Sequence, residues 1–98
     1  MNTVNITGRL VKDVKTVAGE KEGCVFTIAC QKDKEHCDFF PCSAWSKSAE
    51  FLDKYSHKGD LLGIKGRLST YKDKDNNDKF GIVVDSVEIL SYAKREDK

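Results

Sequence analysis

The residues best suited to bind a ligand are two aromatic side chains in the segment 37–45, Cys-Asp-Phe-Phe-Pro-Cys-Ser-Ala-Trp. In a β-strand, side chains alternate between two faces, so Phe39 and Trp45 share one face and Phe40 lies on the other. Only one face can pack in a core, and the alternation favours Phe40 as the buried residue. Exposed rings beside Lys and Arg commonly stack on flat ligands, and nucleic-acid bases are the leading candidate.

A second segment adds cations and a third ring to this hypothesis. Lys65, Arg67 and Tyr71 occupy the outward positions of another alternating pattern. Stacking tolerates any base and contributes about 1–3 kcal/mol per base, while lysine and arginine contact phosphates and release counterions. Further lysines that could form the walls of a groove are Lys32, Lys34, Lys72, Lys74 and Lys79.

Each of these assignments has an alternative. Trp45 could pack under the element that follows it, and a one-residue shift in register would exchange Phe39 and Phe40. Tyr71 could form a cross-strand pair with Phe80 at the base of a hairpin. The lysines of segment 72–79 alternate with Asp and Asn, so a solvated hairpin explains them equally well.

The composition is typical of a single globular domain. The chain has 98 residues, of which 39% are hydrophobic and 34% charged. It has neither an apolar run of about 20 residues nor a signal peptide, so we expect a cytoplasmic protein without a membrane contact. Because the net charge is only +1, nucleic-acid binding depends on how the lysines are distributed.

The sequence offers little for catalysis or metal binding. The four cysteines, from Cys24 to Cys42, include no C-x-x-C pair, so reduced thiols in strand interiors are expected and metal or redox roles are the alternative. His36 and His57 have no Ser or Cys partner at a recognisable spacing, and no phosphate-binding loop or H-E-x-x-H motif is present. We therefore expect a protein that is not an enzyme and has no cofactor or metal.

Periodicity predicts five strands and one helix. The predicted strands are residues 3–11, 24–30, 37–45, 60–70 and 80–90. Ser46 is predicted to cap a helix that buries Ala49 and Leu52, and Gly59 is predicted to close it. The residues of the fourth strand that are predicted to point inward are Leu62, Ile64, Gly66 and Leu68.

This order matches the OB-fold, a five-stranded Greek-key barrel that is all-β apart from one short helix between strands 3 and 4. The second and third strands of that fold, with the adjacent loops, bind oligonucleotides or oligosaccharides. Gly8, Gly63 and Gly66 suit the bends of a small closed barrel. We expect residues 1–92 to form this domain and residues 93–98 to form a short charged tail.

Four segments resemble the bacterial and phage single-stranded DNA-binding proteins. They are Met1-Asn2-x-Val4-x-Ile6-x-Gly8-x-Leu10-x-x-Asp13, Asp38-Phe39-x-Pro41-Cys42-x-Ala44-Trp45-x-Lys47-x-Ala49-Glu50, Tyr55-x-x-Lys58-Gly59-Asp60-Leu61 with Gly66-Arg67-Leu68, and Val83-Val84-Asp85-x-Val87. They span nearly the whole chain, and the ordered set is more specific than any one segment. The resemblance implies an OB-fold that binds single-stranded DNA without sequence preference, as a homotetramer or homodimer that uses its first strand as an interface.

The resemblance also implies roles for individual residues. The family's stacking aromatics fall on Phe39 and Trp45, Tyr71 is the aromatic nearest to a third stacking position, and Lys47 joins the candidate DNA contacts. The loop after the second strand, where the family has a fourth aromatic, has none in this chain. The sequence ends in mixed charges without the acidic tail of cellular members, as expected of a compact phage or mobile-element protein or of a chain whose tail has been removed.

The first hypothesis is a nucleoid-associated protein that covers single-stranded DNA during replication, recombination or repair and meets other replication or recombination proteins. The alternative is an OB module of the primosome type that binds proteins, and a third is an OB domain for RNA or oligosaccharides. Replacing Phe39 and Trp45 by Ala separates the first two, because only a DNA binder should lose affinity for oligonucleotides.

Overall fold

The structure, a computed structural model, describes residues 1–17 and 23–93, with the backbone alone for Thr16 and Val17. Its elements are β1 (Val4–Leu10), β2 (Lys15–Val17), β3 (Gly23–Gln31), β4 (Cys37–Trp45), α1 (Ser46–Tyr55), β5 (Leu61–Lys72) and β6 (Asp78–Ser91). The predicted turn at 19–23 and the predicted tail at 93–98 fall almost entirely outside the described residues. Within those residues, no helix is long and apolar enough to cross a membrane.

The strands form one sheet in the order β1-β5-β6-β4-β3-β2, and a second pairing of β1 with β3 closes it into a barrel. Leu10 of β1 lies opposite Ile28 of β3 at this closure. The paired strands are antiparallel except β4 and β6, which run parallel. With α1 between β4 and β5, this is the predicted OB-fold. The sequence does not predict β2, because a three-residue strand is too short to show an alternating pattern.

The inward residues of the strands form one core together with the apolar face of α1. The buried side chains of this core are Leu10, Cys24, Phe26, Ile28, Cys42, Ala44, Ala49, Leu52, Leu62, Ile64, Ile82 and Val84. Phe40 packs against this cluster and is half-buried, as the alternation predicts. Because every second residue of β3 and β4 enters the core, the residues between them are left on an outer face.

Both ends of α1 differ from the prediction. Ser46 is the first helical residue, and Trp45 takes the N-cap position without a side-chain hydrogen bond, because the extended backbone of β4 runs through Trp45. At the other end, the N–H and the hydroxyl of Ser56 both donate to the Leu52 carbonyl, at 3.0 and 2.6 Å, and end the helix there. Gly59 has a φ of 92°, but it lies in the turn before β5 and does not close the helix.

The outer halves of β5 and β6 extend beyond the barrel as a two-stranded hairpin. Leu68 lies in this extension and is 47% exposed, so its predicted inward position is wrong. The reason is that β1 pairs with β5 only as far as Gly66, and beyond that residue β5 pairs with β6 alone. A β-bulge between Lys65 and Gly66 starts the extension, and Gly66 is required there because a Cβ would overlap the Val83 carbonyl oxygen.

Candidate nucleic-acid interface

The outer face of β3 and β4 carries the two rings that the sequence singles out. Phe39 is 61% exposed and Trp45 is 43% exposed. The antiparallel register sets four cross-strand pairs along this face: Ala29–Phe39, Thr27–Pro41, Val25–Ser43 and Gly23–Trp45. The predicted orientation of both rings is therefore confirmed. They lie about 20 Å apart along the strand, given a rise of about 3.3 Å per residue.

Trp45 is supported by Gly23 rather than buried under α1. Its six-membered ring lies so close to Gly23 that a Cβ at position 23 would overlap the ring atoms Cε3 and Cζ3. The Gly23 backbone therefore holds the indole from one side, while nearly half of the residue stays exposed. A ring that is fixed in place and partly exposed is well suited to stacking on a planar ligand.

A groove of about 580 Å³ crosses the middle of this face, between the positions of Phe39 and Trp45. The floor of this groove includes Val25, Pro41 and Ser43. With Thr27, which also lines the groove, these side chains offer apolar surface and two hydroxyls. The floor can therefore contact the flat face of a base, but it has few groups that could distinguish one base edge from another.

Tyr71 lines the hairpin side of the groove. A Cβ at Gly81 would lie 3.8 Å from Tyr71 Cε1 and 3.2 Å from the Pro41 carbonyl oxygen. Because Gly81 has no side chain, only its backbone separates the Tyr71 ring from Pro41 of β4. Tyr71 lies opposite Lys79 in the β5–β6 register, so it is not the direct cross-strand partner of Phe80. The structure thus brings the third candidate ring to the same surface as Phe39 and Trp45.

Lys12 and Lys15 line the opposite side of the groove, where the chain passes from β1 into β2. Sequence reasoning missed both lysines because it placed no element after residue 11. Asp13 lies between them and also lines the groove. One of its oxygens accepts a hydrogen bond of 2.7 Å from the Lys58 backbone N–H, which ties this segment to the turn before β5.

Three cations of the hairpin region are paired with carboxylates, whereas Lys74, exposed in the turn at its tip, has no ion pair among the described residues. The three ion pairs are Arg67–Asp85 at 3.0 Å, Lys72–Asp78 at 2.6 Å and Lys79–Asp73 at 3.9 Å. All three pairs are accessible to solvent, so each contributes little to stability. They do, however, cancel most of the positive charge that the sequence suggests for this side of the surface.

The remaining predicted cations are dispersed. Lys65 lies on a second concave surface with Asn5 and Glu88, formed by β1, β5 and β6, and does not line the groove. Lys32 and Lys34 lie in the loop between β3 and β4, and Lys47 is exposed in the first turn of α1. The structure therefore brings the predicted aromatics together but not the predicted lysines, whose DNA contacts stay predictions.

The β3–β4 loop is organised by one carboxylate. Asp33 Oδ1 accepts hydrogen bonds from the backbone N–H groups of Glu35 and His36, both at 2.9 Å, and lies 2.8 Å from His36 Nδ1. The Glu35 hydrogen bond first, and then the His36 side chain, lower the pKa of Asp33. His36 thus has a structural partner, and this loop fixes the positions from which Lys32 and Lys34 extend.

The four cysteines are free thiols. Cys24 and Cys42 are buried in the core, and burial raises the pKa of Cys42 to about 12. Cys30 donates a hydrogen bond of 3.3 Å to the Thr7 carbonyl, and Cys37 is exposed at the start of β4. Across the described ranges, no three His, Cys, Asp or Glu side chains are grouped so that they could hold a metal ion.

The sequence matches the Single-strand binding protein family over residues 1–90. The chain belongs to this family. It is 35% identical to single-stranded DNA-binding protein 1 of Clostridium acetobutylicum, over 96% of this chain and 97% of that protein. It is 33% identical to the single-stranded DNA-binding protein of Clostridium tetani, over 98% of this chain and 74% of the relative. The resemblance carried by the four sequence segments is thereby confirmed.

A solved structure supports the same fold for this member of the single-strand binding family. The mitochondrial single-stranded DNA binding protein Rim1 of S. cerevisiae matches with a TM-score of 0.76, over 93% of this chain and 96% of that chain. The two sequences are 16% identical, so the likeness concerns the fold. No sequence motif specifies Gly23, Lys12 or Lys15, so these residues are identified by the structure alone.

Proposed function

We propose that this protein binds single-stranded DNA without sequence preference and covers it during replication, recombination and repair, without catalysing a reaction. The observation that carries the proposal is the placement of three exposed rings, Phe39, Trp45 and Tyr71, on one surface of an OB-fold. Membership of the single-strand binding family supports the same function. The protein would act in the cytoplasm, at the nucleoid, where other replication or recombination proteins meet the same DNA.

Stacking explains why the binding would not depend on sequence. Every base has a flat face that a ring can cover, and the floor of the groove adds mainly apolar contact. The distance between Phe39 and Trp45, about 20 Å along β4, suits a footprint of several nucleotides, within the roughly 4–16 nucleotides that one OB-fold covers.

The protein would work as a homodimer or homotetramer. Residues 4–7 of β1 pair with β5 on one side, while β3 pairs only with Arg9 and Leu10. In the described chain, the other edge of these residues therefore has no strand partner, and such an edge is suited to pair with a second copy. Light scattering coupled to gel filtration tests this proposal, and a mass of 11.0 kDa at micromolar concentration would refute it.

The function is tested by titrating oligo-dT into the protein and following the emission of Trp45, the single tryptophan. We expect the oligomer to quench this emission, and the quenching to weaken as the salt concentration rises. Phe39→Ala or Trp45→Ala should lose about 1–3 kcal/mol of binding free energy. Because Trp45→Ala has no tryptophan, its binding is measured by the anisotropy of a labelled oligomer. Tyr55→Ala is the matched control, because Tyr55 is an exposed ring on α1 and not on the outer face of β3 and β4 that carries Phe39 and Trp45.

Absence of binding at low salt would refute the proposed function and favour a protein partner. Binding that is equal in the wild type and in Phe39→Ala and Trp45→Ala would place the DNA elsewhere on the molecule. Competition with oligo-U of the same length decides between DNA and RNA as the ligand, and a clear preference for oligo-U would contradict the proposal.

A further inference from the structure

The two sides of the groove differ in electrostatic character. On the hairpin side, Tyr71 presents a ring, and the neighbouring cations Lys72 and Lys79 are each paired with a carboxylate of the same hairpin, Asp78 and Asp73. Lys74, which has no ion pair among the described residues, lies in the turn at the tip of the hairpin and does not line the groove. A phosphate that approached Lys72 or Lys79 would have to displace the paired carboxylate. It would also gain little from counterion release, because the charge of the lysine is already compensated.

The opposite side presents lysines without such partners. Lys12 and Lys15 are exposed, line the groove, and form no ion pair with any described residue. Asp13 is the one carboxylate that lines the groove with them, and one of its oxygens is bound to the Lys58 backbone N–H at 2.7 Å. The segment is therefore cationic overall, and its two ammonium groups are free to meet an anion.

We infer that the sugar-phosphate backbone of a bound strand runs along Lys12 and Lys15, with the bases turned towards Tyr71. This inference rests on the proposed function and assigns the phosphates of the strand to one side of the groove and its bases to the other. Phosphates lie over the 11–15 segment, where positive charge is uncompensated. Bases lie over the apolar floor and against the ring, where a charged phosphate would lose hydration without gaining a counter-charge.

The salt dependence of binding tests the assignment, because only phosphate contacts contribute to it. For single strands, the slope of log K against log salt is about −0.7 for each neutralised phosphate. We expect Lys12→Ala/Lys15→Ala to make the slope shallower by up to about 1.4. Lys12→Arg/Lys15→Arg should keep the wild-type slope. Tyr71→Ala should weaken binding roughly 5- to 150-fold at one salt concentration, with the slope unchanged.

Two control variants distinguish the loss of a phosphate contact from the effect of a change in net charge. Lys54→Ala/Lys58→Ala removes the same two positive charges from exposed positions outside the groove and should leave the slope near the wild-type value. Lys72→Ala/Asp78→Ala removes one hairpin ion pair without changing the net charge and should do the same. Circular dichroism of each variant shows whether it is folded before its slope is compared.

The possible outcomes distinguish this inference from the proposed function. If the wild type does not bind oligo-dT, the proposed function fails. If the wild type binds but Lys12→Ala/Lys15→Ala has the wild-type slope, or changes it no more than the Lys54 and Lys58 control, the inference fails and the function stands. A slope that becomes shallower in Lys72→Ala/Asp78→Ala would place the phosphates on the hairpin and also overturn the inference.

Discussion

At the scale of single residues, Trp45 depends on a neighbour that has no side chain. Its ring lies on the backbone of Gly23, and the contact arises from the β3–β4 register that sets these two residues opposite each other. The sequence identifies Trp45 by its type and position in an alternating strand. The sequence does not predict that Gly23 supports this ring, because a glycine near a turn is interpreted as a turn residue.

Replacing Gly23 should therefore disturb the ring. We expect Gly23→Ala to shift the emission maximum of Trp45 and to weaken oligo-dT binding by up to the contribution of one stacked base, about 1–3 kcal/mol. Gly63→Ala is the control, because a Cβ there would meet only the flexible end of Leu90, at 3.2 Å. Unchanged emission in Gly23→Ala would show that the ring does not rest on this residue.

The cysteines should differ in reactivity although their sequence contexts look alike. Cys37 is exposed, whereas Cys42 is buried and its pKa is raised to about 12, so almost none of it is thiolate at pH 8. We expect a thiol reagent to label Cys37 first, and Cys24 and Cys42 only when the protein unfolds. Mass spectrometry of digested samples measures this order, and early labelling of Cys42 would contradict the packing of the core.

At the scale of elements, the long strands are predictable and the short or edge features are not. Alternation places the core residues of β3 and β4 correctly, because one face of each strand is buried over most of its length, and only the start of β4 is exposed on both faces. The same rule fails at Leu68, where the pattern continues but the barrel does not. The separate prediction that Ser46 caps the helix also fails, since β4 continues up to the helix and Trp45 takes the N-cap position.

The β3–β4 loop should respond to acid. Because hydrogen bonds lower the pKa of Asp33 below its ordinary value of 3.8, they stabilise the loop fully above that value and are lost as the pH falls through the lowered pKa. NMR should show the amide signals of Glu35 and His36 shifting together below pH 3.8. Asp33→Asn should abolish this titration, and a midpoint above 3.8 would contradict the hydrogen-bond arrangement.

At the scale of the whole molecule, the binding surface comes from topology rather than from local sequence. The groove joins Lys12 near the start of the chain, Pro41 in its middle and Tyr71 on the distant hairpin. The barrel brings them together through the β4–β6 and β2–β3 pairings. The aromatic residues could be predicted because a ring on an outer face is conspicuous. The charged side of the groove could not, because it depends on which lysines the fold leaves unpaired.

The junction of barrel and hairpin should be the site most sensitive to a single methyl group. We expect Gly66→Ala to lower the free energy of unfolding by about 1–3 kcal/mol or more, because its Cβ would overlap backbone atoms of Val83 and neither strand can move independently. Urea denaturation followed by circular dichroism measures the change. A loss no larger than that of Gly63→Ala would show that the bulge can adapt.

Gly81 offers a way to grade ligand affinity without changing charge. It leaves bare backbone between Tyr71 and Pro41, so any side chain introduced there projects into the space between the ring and β4. A series of Ala, Ser and Val at this position would narrow the opening in steps while every lysine and carboxylate stays in place. Substitutions at position 81 would thus change steric access to the groove without changing its attraction for phosphate.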